Sequence, residues 1–205
     1  MNPTDQGKMR FLGFLLVFLF MLSCSTILHL NIRYRLPPAA DGLQGRKVYL
    51  SFVDMRSQKS VMGPGARKAF KSVSENFTLA VARGSDTGFK IGVFEVPALF
   101  MEVFKKRLEQ EGIVVVESRL DAEVELQIAL ENLVLDLQGR TWKAGVAYEG
   151  RLIKEGHVLA IKKVKGEAER LKLIGQKEAD LVMGEIFTDA VNQLDVIGLF
   201  QEAGR

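Results

Sequence analysis

Cys24 is the one cysteine of the chain, and its thiol is the strongest nucleophile the sequence offers. It directly follows Ser23, at the end of the apolar run Phe11–Leu22. A small residue before a cysteine suits acylation of the sulfur and a peptide cut on the Ser23 side. Other chemistry-bearing residues are sparse. Glu123 and Glu125 share one face of an alternating segment, as a carboxylate acid and base would. Gln127 follows them on that face, which reads as solvated surface. Metal-assisted hydrolysis needs clustered His, Cys, Asp or Glu ligands. The two histidines are His29, in the expected tether, and His157, beside a predicted turn. No serine occupies a Gly-x-Ser-x-Gly elbow. Gly63-Pro64-Gly65-Ala66-Arg67-Lys68 has the glycines of a phosphate cradle. It lacks the Gly-Lys-Ser/Thr ending, and Pro64 removes one N–H donor. Trp142 and Tyr148 fall on one alternating face and read as sheet packing. The residues point away from an enzyme, and no metal or cofactor is expected.

The elements that position Cys24 are legible. Lys8 and Arg10, the apolar run and Ser23 are the parts of a secretory signal peptide. With cysteine next, Phe20-Met21-Leu22-Ser23-Cys24 resembles the lipobox of bacterial lipoproteins. That resemblance implies lipid attachment at Cys24, cleavage after Ser23 and, with Ser25 rather than Asp following, the periplasmic face of the outer membrane. One acyl chain binds a membrane only reversibly; two or more hold a protein there stably. The competing reading is an uncleaved inner-membrane anchor over Phe11–Leu30, long enough to span a bilayer once. The expected organisation is a signal peptide (1–23), a lipidated tether (24–45) and a folded domain (46–205).

Composition narrows the rest. The chain carries 28 basic and 25 acidic residues, and losing the first 23 residues leaves a net charge of about +2. That is too weak a field for a nucleic-acid partner. With Cys24 lipidated, no disulfide forms within the mature monomer. An apolar content of 47% supplies an ordinary core instead.

Ser25 to Gly45 contains Pro37-Pro38 and Asp41-Gly42 and reads as extended tether. Lys47–Val53 has strand composition, and Phe77–Ala82 is a second strand. Pro97 opens a helix whose apolar positions include Val96, Phe100, Val103, Phe104 and Leu108, ending at Gly112. Ile113–Val116 reads as a strand too apolar for a solvent face. Ala122–Leu137 alternates with period two until the phase slips at Glu131-Asn132, predicting a bulge. Turns at Gln138-Gly139-Arg140 and Lys154-Glu155-Gly156 make this the first of three meander strands. Ala179 to Leu194 forms a second helix, with Asp180 and Asn192 assigned to its polar, solvent side. The expectation is an α+β two-layer sandwich, a mostly antiparallel sheet with two helices on one face.

This layout resembles the YajG-type outer-membrane lipoproteins. The similarity rests on the lipobox, the Pro-containing tether, Asp54-Met55-Arg56, Leu108-Glu109-Gln110-Glu111-Gly112, Glu123–Leu130 and Asp189-Ala190-Val191-Asn192, between about Arg46 and Phe200. It implies location and fold more than mechanism. A similar small domain occurs in accessory lipoproteins of envelope lipid or solute transport systems, which supplies an alternative role. Two partner surfaces are expected. Arg56, Lys59, Arg67, Lys68 and Lys71 form a basic loop for anionic lipid headgroups, each worth about 1 kcal/mol at such a surface. The apolar segment Val196–Phe200, or an open strand edge, would meet an envelope protein.

Overall fold

The computed structural model describes residues 28–40, 42–70, 73–84, 86, 88–173 and 176–204. Ser23, Cys24 and Lys71 lie outside them. Eight strands and four helices occur among the described residues: β1 (Leu28–Leu36), β2 (Lys47–Asp54), α1 (Pro64–Ala69), β3 (Val73–Arg83), β4 (Phe89–Phe94), α2 (Val96–Gln110), β5 (Val114–Val116), β6 (Val124–Gln138), β7 (Thr141–Lys154), β8 (His157–Leu171), α3 (Lys177–Gln193) and α4 (Val196–Ala203). The class is α+β. A five-stranded sheet has the order β5-β2-β6-β7-β8, and a three-stranded sheet the order β1-β3-β4.

The meander follows from its sequence. In β6, Val124, Leu126, Ile128 and Leu130 are buried; past the slip, Leu133 and Leu135 are. Leu130 pairs with Tyr148 and Asn132 with Ala147, so Glu131 is the extra residue of a bulge. The β7–β8 turn puts Glu155 at φ 51° and Gly156 at φ 80°. Those two left-handed residues make the tight turn that matches strand twist.

Both sheets are mixed. β2 runs parallel to β5 and to β6, because crossovers rather than hairpins link them. Helices α2 and α3 cover one face of the larger sheet. Phe100 of α2 meets Phe187 of α3 edge-on at 5.1 Å, and Phe104 meets Tyr148 of β7 at 5.5 Å. The smaller sheet lies on the other side of α2, adding its own apolar face (Leu30, Ile32, Phe77, Leu79) to one core.

The tether expected over 24–45 is corrected here. Leu30-Asn31-Ile32-Arg33-Tyr34-Arg35 alternates strictly, and Leu30, Ile32 and Tyr34 are fully buried. This segment is strand β1, paired in parallel with β3. Its other edge is closed by α3. The Gln176 amide donates to His29 O (2.8 Å), and Asp180 Oδ1 accepts from Asn31 N (3.0 Å). Thr188 Oγ1 donates to Arg33 O (3.2 Å) and Asn192 Nδ2 to Arg35 O (3.0 Å). Four helical residues rise about 6.0 Å, close to the rise of about 6.6 Å for two strand residues. Polar residues at multiples of four (Gln176, Asp180, Thr188 and Asn192, with Gly184 in the remaining place) therefore face the β1 edge. Asp180 and Asn192, expected in solvent, are docking residues.

Two smaller expectations also change. Val114 is 47% exposed, since β5 is a short edge strand rather than a central one. Val196–Phe200 lies within α4, which packs Val196 and Leu199 into the core and is capped by Asp195 Oδ1 accepting from Gly198 N (2.8 Å).

Candidate functional site

The carboxylate and phosphate candidates are each absorbed by internal partners. Glu123 pairs with Arg46 at 2.7 Å, and Glu125 accepts from Ser51 (2.5 Å) and Arg119 (2.9 Å). The N–H groups of Gly65 and Ala66 at the start of α1 both donate to Asp136 Oδ1, at 2.8 and 3.1 Å. A carboxylate of β6 thus fills the place a phosphate would need. His157 is exposed at the start of β8. Trp142 is buried and stacks on Phe70 at 5.0 Å, while the Tyr148 hydroxyl donates to Ala190 O (2.8 Å). Among the described residues, no cluster of three His, Cys, Asp or Glu is placed to hold a metal.

The basic loop divides differently from expectation. Arg56 is only 6% exposed, and its guanidinium grips Asp54 through Nε (3.0 Å) and NH2 (2.9 Å). Arg56 holds the Asp54 carboxyl down at about 2, well below its usual 3.8. Lys59 turns back on the same aspartate at 3.2 Å. The Asp54 charge and the adjacent backbone make an inward clamp of Arg56, which corrects its assignment to an exposed anion-binding surface. Arg67 and Lys68 are exposed, on helix α1 rather than in a loop.

A different cationic surface has formed. Along the outer face of the smaller sheet and the flank of α3 runs a groove of about 610 Å³. Parallel pairing sets Arg33 beside Ala80, and antiparallel pairing sets Ala80 beside Lys90. The small Ala80 side chain leaves a trough between two cations. Arg35 continues the row on β1, and Lys177 stands at the start of α3. Among the described residues, none of these four cations has an ion-pair partner within 4.0 Å. The acids of the groove are partly engaged: Asp180 with Asn31, and Glu185 with Arg170 at 2.5 Å. Asp189 completes the lining, with Thr78, Thr188 and the half-exposed Leu181 as neutral contacts. The groove can hold an anion at two or more cations, beside a small apolar contact.

Sequence reasoning misses these residues because the prolines that follow make Arg33 and Arg35 read as tether. The available signal was the alternation of Asn31, Arg33 and Arg35 with Leu30, Ile32 and Tyr34.

No known protein-family signature matches the sequence, and no curated protein does. Among solved structures, the chain is similar to a Xanthomonas campestris protein of the family DUF330. The TM-score is 0.55 at 14% identity, covering 88% of this chain and 97% of that one. The two share a fold. More remote similarities are to rare lipoprotein B from Shewanella oneidensis (TM-score 0.38, 10% identity, 78% of this chain and 94% of that one) and to a Neisseria meningitidis lipoprotein (TM-score 0.30, 11% identity, 73% and 97%). Scores this low do not establish a common fold.

Proposed function

We propose that the chain is a non-enzymatic lipoprotein, attached through acylated Cys24 to the periplasmic face of the outer membrane, whose groove binds an anionic ligand. The groove is the observation that carries the binding role: Arg33, Arg35, Lys90 and Lys177 line one trough without carboxylate partners among the described residues. Phosphate or carboxylate groups suit arginine, whose planar fork donates two parallel hydrogen bonds.

The anchoring part of the reading rests on the lipobox resemblance and on where the fold starts. β1 begins at Leu28, so Cys24 is separated from it by residues 25–27 alone. Fully extended, that connection reaches about 14 Å. The domain would sit against its membrane rather than range through the periplasm. The same boundary weakens the spanning-anchor reading. Leu28–Leu30 belong to β1, leaving residues 11–27 for a span, the lower limit of what crosses a bilayer (~17 residues). The YajG-type relationship and an accessory role in a transport system rest on the sequence resemblance alone.

Two measurements test the proposal. Mass spectrometry of the N-terminal peptide from separated membranes should find acylated Cys24 in the outer-membrane fraction. An intact peptide running unlipidated through Cys24 sinks the anchor. Separately, calorimetry of the full chain in neutral detergent with a short-chain anionic phosphoglyceride should show binding that Arg33→Gln with Lys90→Gln weakens about tenfold or more. Binding indifferent to that double change, or equal for a zwitterionic phosphoglyceride, removes the groove from the reading.

A further inference from the structure

β8 is the last strand of the five-stranded sheet, so among the described residues one of its edges has no strand partner. An edge of this length is a template for pairing with another chain. Its outward residues follow an unusual order. Leu159, Ile161, Lys163 and Lys165 precede Gly166; Glu167, Glu169 and Leu171 follow it, with Leu173 just beyond the strand. All of these side chains except the central glycine are exposed, Leu171 by 67%. Read outward from Gly166, one arm is basic then apolar and the other acidic then apolar.

We propose that this edge pairs with the same edge of a second copy, antiparallel and centred on Gly166. Lys165 then meets Glu167 of the second copy, Lys163 meets Glu169, and Ile161 meets Leu171. On the opposite face Val164 meets Ala168. Directly opposed residues of unlike charge or matching apolar character stabilise a sheet, and like charges oppose it. The register is set by charge. A shift of two residues one way sets Lys165 against Lys165, and the other way sets Glu167 against Glu167. A shift of one residue would turn the wrong faces together.

The pairing also extends ion pairs already present. Glu149 of β7 contacts Lys163 at 2.7 Å, and Lys143 contacts Glu169 at 2.8 Å. Side by side, two copies give the row Glu149–Lys163–Glu169–Lys143, alternating in sign across four strands. The single like-charged pair, Lys162 with Arg170 on the helix-covered face, has counter-ions of its own in Glu202 and Glu185. Gly166 allows α3 to approach the centre of the edge from beneath: a Cβ there would lie 2.6 Å from Ile186 Cδ1.

Sedimentation velocity on the full chain in neutral detergent tests this at micromolar concentrations. The wild-type chain is expected to be a dimer. Lys165→Glu puts two glutamates opposite each other, and Glu167→Lys two lysines, so each alone should weaken the dimer at least about tenfold. Mixing the two variants restores opposite charges at both positions and should restore the dimer, as should the double exchange K165E/E167K. That rescue separates lost pairing from lost folding. A monomeric wild type, single variants as dimeric as wild type, or no rescue on mixing would each overturn the proposal.

Discussion

The hydroxyl of Tyr34 donates to Asn192 Oδ1 at 2.8 Å, joining the first strand of the domain to the last turn of α3. The same amide donates its N–H to Arg35 O at 3.0 Å, so one side chain satisfies two groups of the β1 edge. Burial raises the Tyr34 pKa far above the ordinary phenol value, which favours the neutral, donating hydroxyl. Asn192→Leu strands the hydroxyl and the carbonyl together. The expected loss is about 1–3 kcal/mol, read as a lower urea midpoint. Tyr34→Phe removes the donor without stranding that carbonyl and should cost less.

Because β1 is part of the fold, its boundary can be tested by truncation. A chain starting at Leu28 should unfold cooperatively, like the full chain. One starting at Arg46 lacks the buried side chains of Leu30, Ile32 and Tyr34 and should lose cooperative unfolding. Two truncations with equal midpoints would mean that the 28–36 segment contributes nothing to the core.

Arg107, in the last turn of α2, and Glu111, the residue that caps its C-terminus, form a buried ion pair. Removing one partner leaves a charge in the core, which typically costs about 3–5 kcal/mol. Arg107→Met should therefore be severe. The double change R107M/E111L takes both charges away and should recover much of the loss, measurable as a coupling energy in a double-mutant cycle.

Asp136 holds the start of α1 through two N–H groups, and the approach is close because positions 63 and 65 lack side chains. A Cβ on Gly65 would lie 1.9 Å from Leu137 O, and one on Gly63 would lie 2.5 Å from the Asp136 carboxyl carbon. Asp136→Ala is expected to cost about 1–2 kcal/mol, as other lost helix caps do. Gly65→Ala should be worse, because the obstacle is backbone. Thermal midpoints of the two variants decide the order.

The Asp54 clamp gives an acid signature. Its folded pKa of about 2 lies below the ordinary 3.8, so the unfolded chain takes up the proton first as pH falls. The Asp54 contribution is whole above about pH 4 and drains away towards pH 2. Asp54→Asn should flatten that part of the stability profile, and unfolding at fixed urea across pH 2–5 checks it. Glu149, held down by Lys163 and then Arg151, acts in the same direction, so the double variant should flatten the profile further.

Some features were legible because they are local. The period of two in β6, its slip at Glu131 and the turn at Glu155-Gly156 follow from side-chain alternation and φ preferences of neighbours. The apolar stripes of α2 and α3 were readable for the same reason. β1 has an equally plain alternation. Pro37-Pro38 and Asp41-Gly42 after it masked that signal, and a lone alternating segment does not say which strand will accept it.

The sequence alone determined which residues form the meander and the two long helices, because those choices depend on residues a few positions apart. Only the tertiary structure decided that Leu28–Leu36 joins a sheet with β3, that Asp180, Thr188 and Asn192 of α3 serve its edge, and that Arg33 and Lys90 face one groove. Those outcomes depend on backbone hydrogen bonds and charges satisfied between residues such as Asn31 and Asp180, 149 positions apart. Local periodicity carries no record of such partners; the requirement that buried polar groups be paired selects them only once the chain has closed on itself.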